Sequence, residues 1–196
     1  MDNDRTMRQV RSISSSFEVR EADNAKYIEG YFAVFNSNYE IFSGVTESIA
    51  PEAFDNTLGG DIKALCDHDT RLVLGRNKAG TLELKVDSHG LWGCIAINPN
   101  DSDAVNLYER VKRRDVDQCS FGFEIVKEES DFREDGSVHF TIREVTLYEV
   151  SVVTFPAYSE TSVSARKRDV AEIQKRKLDA WKLATRTRLK GESNGT

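Results

Sequence analysis

Histidine and cysteine are scarce in this 196-residue chain, with three of each. Cys66, Cys94 and Cys119 are an odd count with no CxxC spacing, which argues against a disulfide framework or a structural zinc site and fits a reducing cytoplasm. No apolar run approaches the ~20 residues of a membrane-spanning helix, so no membrane role is expected. The N-terminal MDNDRTMRQVRS is charged and lacks the apolar stretch of a secretory signal. A net positive charge is missing from most of the chain. Ten basic and four acidic residues fall in 165–196, a tail of +6, so a total of −6 leaves −12 over residues 1–164. An acidic body is a poor phosphate binder, and no nucleic-acid partner is expected.

What is present is a soluble composition, 39% apolar and 31% charged, of one-domain size. Most of the first 155 residues read as short strands: Ile13–Val19 in period-2 alternation, Lys26–Phe35 as a buried strand with a bulge at Gly30, then about 61–68, 80–86, 90–97, 118–127, 137–143 and 145–154. Turn signals such as Gly59-Gly60, His89-Gly90 and Asp135-Gly136 separate them. Without regular βαβ alternation, this pattern predicts an antiparallel barrel or sandwich. Helices are expected at Pro51–Leu58, at Ala104–Arg114 behind the capping run Asp101-Ser102-Asp103, and across the basic tail from Ala165 to Leu189. The division is a body over 1–164, with its core at about 25–160, and a helical tail over 165–196.

Three histidines make the search for a general base short. His89 reads as a solvated turn residue, and His139 alternates with Val138 and Phe140 and so should face solvent. His68 differs, because it ends a predicted strand face shared with Ile62, Ala64 and Cys66, where an imidazole is either a satisfied core residue or a catalytic one. Ser120, in Gln118-Cys119-Ser120-Phe121-Gly122-Phe123, lies where a helix hands over to an aromatic strand, with Gly122 leaving room for an approaching backbone. Either an ordinary strand serine or a nucleophile fits that context. Glu149 lies in Val145–Thr154, a strand apolar on both faces, where an unpaired carboxylate is costly. It therefore needs a partner, and both a histidine and Arg143 suit. Asp67-His68-Asp69 is not a metal site by pattern, since consecutive residues do not converge on one ion.

In order along the chain, Gly30-Tyr31-Phe32-Ala33-Val34-Phe35-Asn36, Ile49-Ala50-Pro51-Glu52-Ala53-Phe54, Ala64-Leu65-Cys66-Asp67-His68-Asp69 with Leu74-Gly75, Gly90-Leu91, Ser120-Phe121-Gly122-Phe123 and Glu149 through Ala157 resemble the prohead (procapsid) maturation proteases of tailed bacteriophages. That family is distantly related to the herpesvirus assemblin proteases. The matching stretches span about residues 25–165.

The resemblance implies an α+β, mainly β fold: an antiparallel β-barrel like herpesvirus assemblin, with short peripheral helices and a C-terminal helix. It implies a serine endopeptidase that cleaves a scaffold protein, or the scaffolding segment of the major capsid protein, and also itself. Ser120 falls on the nucleophile, His68 on the general base and Glu149 on an acidic residue that orients the histidine, with Asp69 and Asp67 in reserve. Backbone amides at Thr154 and Phe155 are the expected oxyanion donors. No cofactor and no metal are implied. A homodimer is expected by analogy, and the site of action is the immature capsid in the host cytoplasm. The alternative is an inactive capsid-assembly or scaffold protein built on the protease fold.

Overall fold

Apolar runs and period-2 alternation become eleven strands in a computed structural model that describes residues 8–14, 17–22, 25–155 and 160–192. In chain order these are β1 (Gln9–Ser14), β2 (Glu18–Ala22), β3 (Ala25–Val34), β4 (Tyr39–Phe42), β5 (Val45–Ile49), β6 (Lys63–Cys66), β7 (Asp69–Arg76), β8 (Leu82–Val86), β9 (Gly90–Ile97), β10 (Gln118–Phe132) and β11 (Val138–Val153). Helix α1 is Ser102–Arg113 and helix α2 is Glu160–Glu192. The fold is mainly β, as expected.

The expected antiparallel barrel is corrected. Among the described residues the strands form two open sheets, one ordered β1-β10-β11-β5-β4 with β6 and β7 attached, the other β2-β3-β9-β8. The sixteen-residue β11 explains the mixed pairing. One of its edges takes β10 antiparallel, while the other is long enough for two short strands, β5 along Val138–Ile142 and β6 along Glu149–Val152, both parallel. No hairpin joins these strands to β11, so no tight turn dictates their direction.

One apolar cluster joins the sheets, with Ile28, Phe32 and Ile95 from one, Phe121, Phe123 and Val150 from the other, and Leu107 and Tyr108 from α1. Asp101 starts α1 by accepting from the amides of Asp103 and Ala104, a cap worth ~1 kcal/mol. Ala104, Leu107, Tyr108 and Val111 form its buried face, as the spacing predicts.

Several boundaries differ from the sequence reading. Ile13–Val19 is not one strand, because β1 and β2 lie in different sheets. The two strands expected at 137–143 and 145–154 are continuous, with Glu144 paired to Lys127. Gly30 pairs in register with Gly93, and the irregularity lies further on, between Tyr31 and Ala33. The Pro51 helix is a single 3₁₀ turn over Pro51–Phe54. The chain divides into compact units Met1–Ser159 and Glu160–Thr196, and α2 begins at Glu160 rather than near 165. No helix among the described residues is long and apolar enough to cross a membrane.

Candidate active site

The strand expected to carry His68 stops two residues earlier, at Cys66. Cys66 pairs with Asp69, so Asp67 and His68 are the central residues of a two-residue hairpin turn, with φ of 48° and 60°. Positive φ at both positions is the type I′ pattern, whose twist matches that of the strands it joins. His68 therefore leaves the face of Ile62 and Ala64 and projects from a turn. Asp67 holds that turn: its amide donates to the Val152 carbonyl, and its carboxylate accepts from Thr154 N at 2.7 Å and Thr154 Oγ1 at 3.1 Å.

The turn brings His68 Nδ1 to 2.7 Å from Glu149 Oε1. A carboxylate only accepts, so Nδ1 carries the proton of this contact. The other ring nitrogen, Nε2, is buried and has no hydrogen-bond partner among the described residues. Glu149 is 2% exposed and has two further partners, Ser151 Oγ donating to Oε2 at 2.5 Å and Arg8 Nη2 at 2.6 Å from Oε1. Burial by itself would raise its pKa, but His68, Ser151 and Arg8 together outweigh burial and hold the carboxyl below its ordinary value.

Ser120 lies on the same sheet face. It is the register partner of Ser151 in the antiparallel β10/β11 ladder, and opposed residues share a face. Ser151 in turn shares its face with Glu149 two residues away. Gly122 completes that face: a Cβ there would stand 2.3 Å from Glu149 Oε1, so only glycine admits the carboxylate in this position. The Ser120 hydroxyl, fully buried, donates to the Arg11 carbonyl of β1 at 2.8 Å rather than to His68. Arg11 itself is 5% exposed, and its guanidinium forms a two-pronged ion pair with the buried Glu47 of β5, at 2.5 and 3.0 Å.

The remaining expectations are placed as follows. Arg143 pairs with Glu52 and Glu129, not with Glu149. Asp69 turns away to Arg71, which holds its carboxyl low, at about 2. Asp67 serves Thr154, so neither reserve aspartate bonds the imidazole, and the three consecutive side chains diverge. The Thr154 amide is engaged by Asp67, which corrects its expected role as an oxyanion donor; Phe155 is 79% exposed, and residues 156–159 lie outside the described residues. His139 is half-buried, and its ring nitrogens meet Thr46 Oγ1 at 2.8 Å and Ser48 Oγ at 2.9 Å. His89 sits edge-on to Tyr31 in its turn.

Sequence reasoning missed Arg8, Arg11, Glu47 and Ser151. The i, i+2 spacing of Glu149 and Ser151 on a strand was a signal for the last of them. Nothing local marks the others, which reach the site through β1–β10 and β5–β11 pairing.

The chain is 29% identical over 143 residues to the prohead protease of Enterobacteria phage HK97, an alignment that covers 71% of this chain and 59% of that protein. It thus spans about 59% of that curated relative's length. Among solved structures it resembles the capsid assembly protease of bacteriophage T4, with a TM-score of 0.49 at 8% identity, covering 74% of this chain and 96% of that one. Residues 15–176 match the model of the caudovirus prohead serine proteases, and the chain belongs to that family.

Proposed function

We propose that the chain is a serine endopeptidase of prohead maturation, with Ser120 as nucleophile, His68 as general base and Glu149 as the group that orients it. The observation that supports this most is the 2.7 Å contact between His68 Nδ1 and Glu149, with Nε2 buried and free of hydrogen-bond partners among the described residues. Once the Ser120 hydroxyl leaves the Arg11 carbonyl, its proton passes to Nε2 as Oγ bonds to the substrate carbonyl carbon. The peptide C–N bond then breaks, the amine departs with that proton, and water releases the acyl group by the same exchange. Glu149 stays ionised throughout and stabilises the imidazolium.

The substrates on this reading are a scaffold protein or the scaffolding segment of the major capsid protein, cut inside the immature capsid, and the chain itself. The +6 segment at 165–196 docks weakly, and in a salt-dependent way, on an acidic scaffold face. Co-expression with the major capsid protein of the same phage, followed by intact-mass measurement of both products, tests it. Discrete truncation that disappears with Ser120→Ala is expected, whereas truncation that survives Ser120→Ala contradicts the assignment.

A second reading, an inactive assembly protein on the protease fold, draws on the Ser120 hydroxyl being bonded to Arg11 instead of His68. Under that reading a serine-directed fluorophosphonate leaves Ser120 unlabelled.

A further inference from the structure

β1 pairs antiparallel with the strand that carries Ser120, and it carries an arginine into a buried acidic position. We propose that β1 occupies the strand of the substrate and that Glu47 selects a basic residue immediately before the bond to be cut. This inference rests on the serine-endopeptidase reading of Ser120.

Three observations carry it. The first is what the Ser120 hydroxyl touches. Its partner at 2.8 Å is a main-chain carbonyl of an extended strand, that of Arg11, with Ser12 opposite Ser120 in the antiparallel register. A nucleophile in a peptide complex meets this kind of group in this kind of strand. The second is position. β1 is an edge strand, so without it β10 from Gln118 to Phe123 presents an unpaired edge to another extended segment. The same stretch of chain also holds the catalytic carboxylate, through Arg8 on Glu149 Oε1.

The third is the side chain that goes with that carbonyl. Arg11 enters a position built by other elements: Glu47 of β5, fully buried, takes its guanidinium with both oxygens, and the Phe123 ring of β10 lies 5.7 Å beneath it. A buried carboxylate that takes a guanidinium with both oxygens favours a planar fork of donors, because two parallel charge-assisted bonds match that geometry and a neutral or acidic side chain makes neither. The position therefore suits arginine, and lysine less well, at the residue whose carbonyl faces Ser120. Entry of substrate requires β1 to leave, so the resting chain is occupied by its own N-terminal strand.

Cleavage-site mapping is the test. The full chain, its Ser120→Ala variant and its Arg11→Ala variant are each incubated with peptides from a digested proteome, and new termini are read by mass spectrometry. Ser120-dependent cuts are expected to follow Arg or Lys at least tenfold more often than chance, and Arg11→Ala is expected to cut at least tenfold faster than the parent chain. Ser120-dependent cuts without a basic preference overturn the selection by Glu47 and leave the protease reading standing, and an unchanged rate in Arg11→Ala overturns occupancy by β1. Because Arg11→Ala takes the guanidinium away from a buried carboxylate, Arg11→Gln, which keeps a donor there, is run beside it. As a check that needs no variant, the hexapeptide QVRSIS is expected to slow cutting by the parent chain at least tenfold more than QVESIS does, and equal inhibition overturns the acidic subsite. If no chain cuts any peptide or takes a fluorophosphonate, the protease reading fails and this inference fails with it.

Discussion

Gly122 lies directly against the Glu149 carboxylate: a Cβ on Gly122 would stand 2.3 Å from Oε1 and 2.7 Å from Arg8 Nε. The glycine is thus a spacing element of the site, and its replacement is the mildest perturbation that reaches the His68–Glu149 contact. Gly122→Ala is expected to keep the fold while pushing Glu149 away from the imidazole. Displacement of about 1 Å costs on the order of 10²-fold in rate. Steady-state peptide hydrolysis beside circular dichroism checks this, and unchanged kcat/KM in a folded variant is the contrary result.

Ser120→Ala separates chemistry from stability. The hydroxyl makes a neutral hydrogen bond to the Arg11 carbonyl, worth about 0.5–1.5 kcal/mol net. Cleavage should vanish while the unfolding free energy falls by about 1–3 kcal/mol, because the buried Arg11 carbonyl loses this donor, as measured by urea titration with far-UV detection.

Glu149 gives stability a dependence on pH. Its folded-state pKa lies below the ordinary carboxylate value of 4.5, so between the two values the unfolded chain binds more protons than the folded one. Its contribution is therefore complete above 4.5 and is lost as pH falls through the lowered value. Glu149→Gln should flatten this part of the stability curve in acid, with activity at neutral pH reduced by roughly 10³- to 10⁴-fold. Melting temperatures from pH 3 to 7, for both chains, decide it.

Asp67 anchors the turn that presents His68, through the amide and hydroxyl of Thr154. Asp67→Ala frees that turn and removes a residue type that tolerates positive φ, and a loss of about 1–3 kcal/mol is expected. Asp67→Asn keeps an acceptor for the Thr154 amide and should recover most of the activity. If alanine and asparagine behave alike, the anchoring role is wrong.

The sequence carried some of this site openly and hid the rest for physical reasons. The burial of Glu149 was legible because β11 is apolar on both faces, and that pattern demanded a partner for the charge. The sequence puts His68 on a strand face because Asp67-His68 lacks the Asn-Gly or Asp-Gly signature of a two-residue hairpin, and the tolerance of Asp and His for positive φ is a far weaker mark than a glycine. The mixed pairing along β11 was invisible for a different reason. β5 and β6 join it across some ninety residues, and short-range periodicity records no strand direction at that separation. Arg11 meets Ser120 across 109 positions, so nothing near either residue marks the contact.

Covalent labelling of Ser120 by a fluorophosphonate, in the full chain and in His68→Ala, is the most direct measurement of the central claim that His68, held by Glu149, activates this serine. A single adduct mapped to Ser120, with its rate reduced at least 10³-fold in a folded His68→Ala chain, is the predicted result. An adduct on another residue, or equal labelling of Ser120 with and without His68, would contradict it.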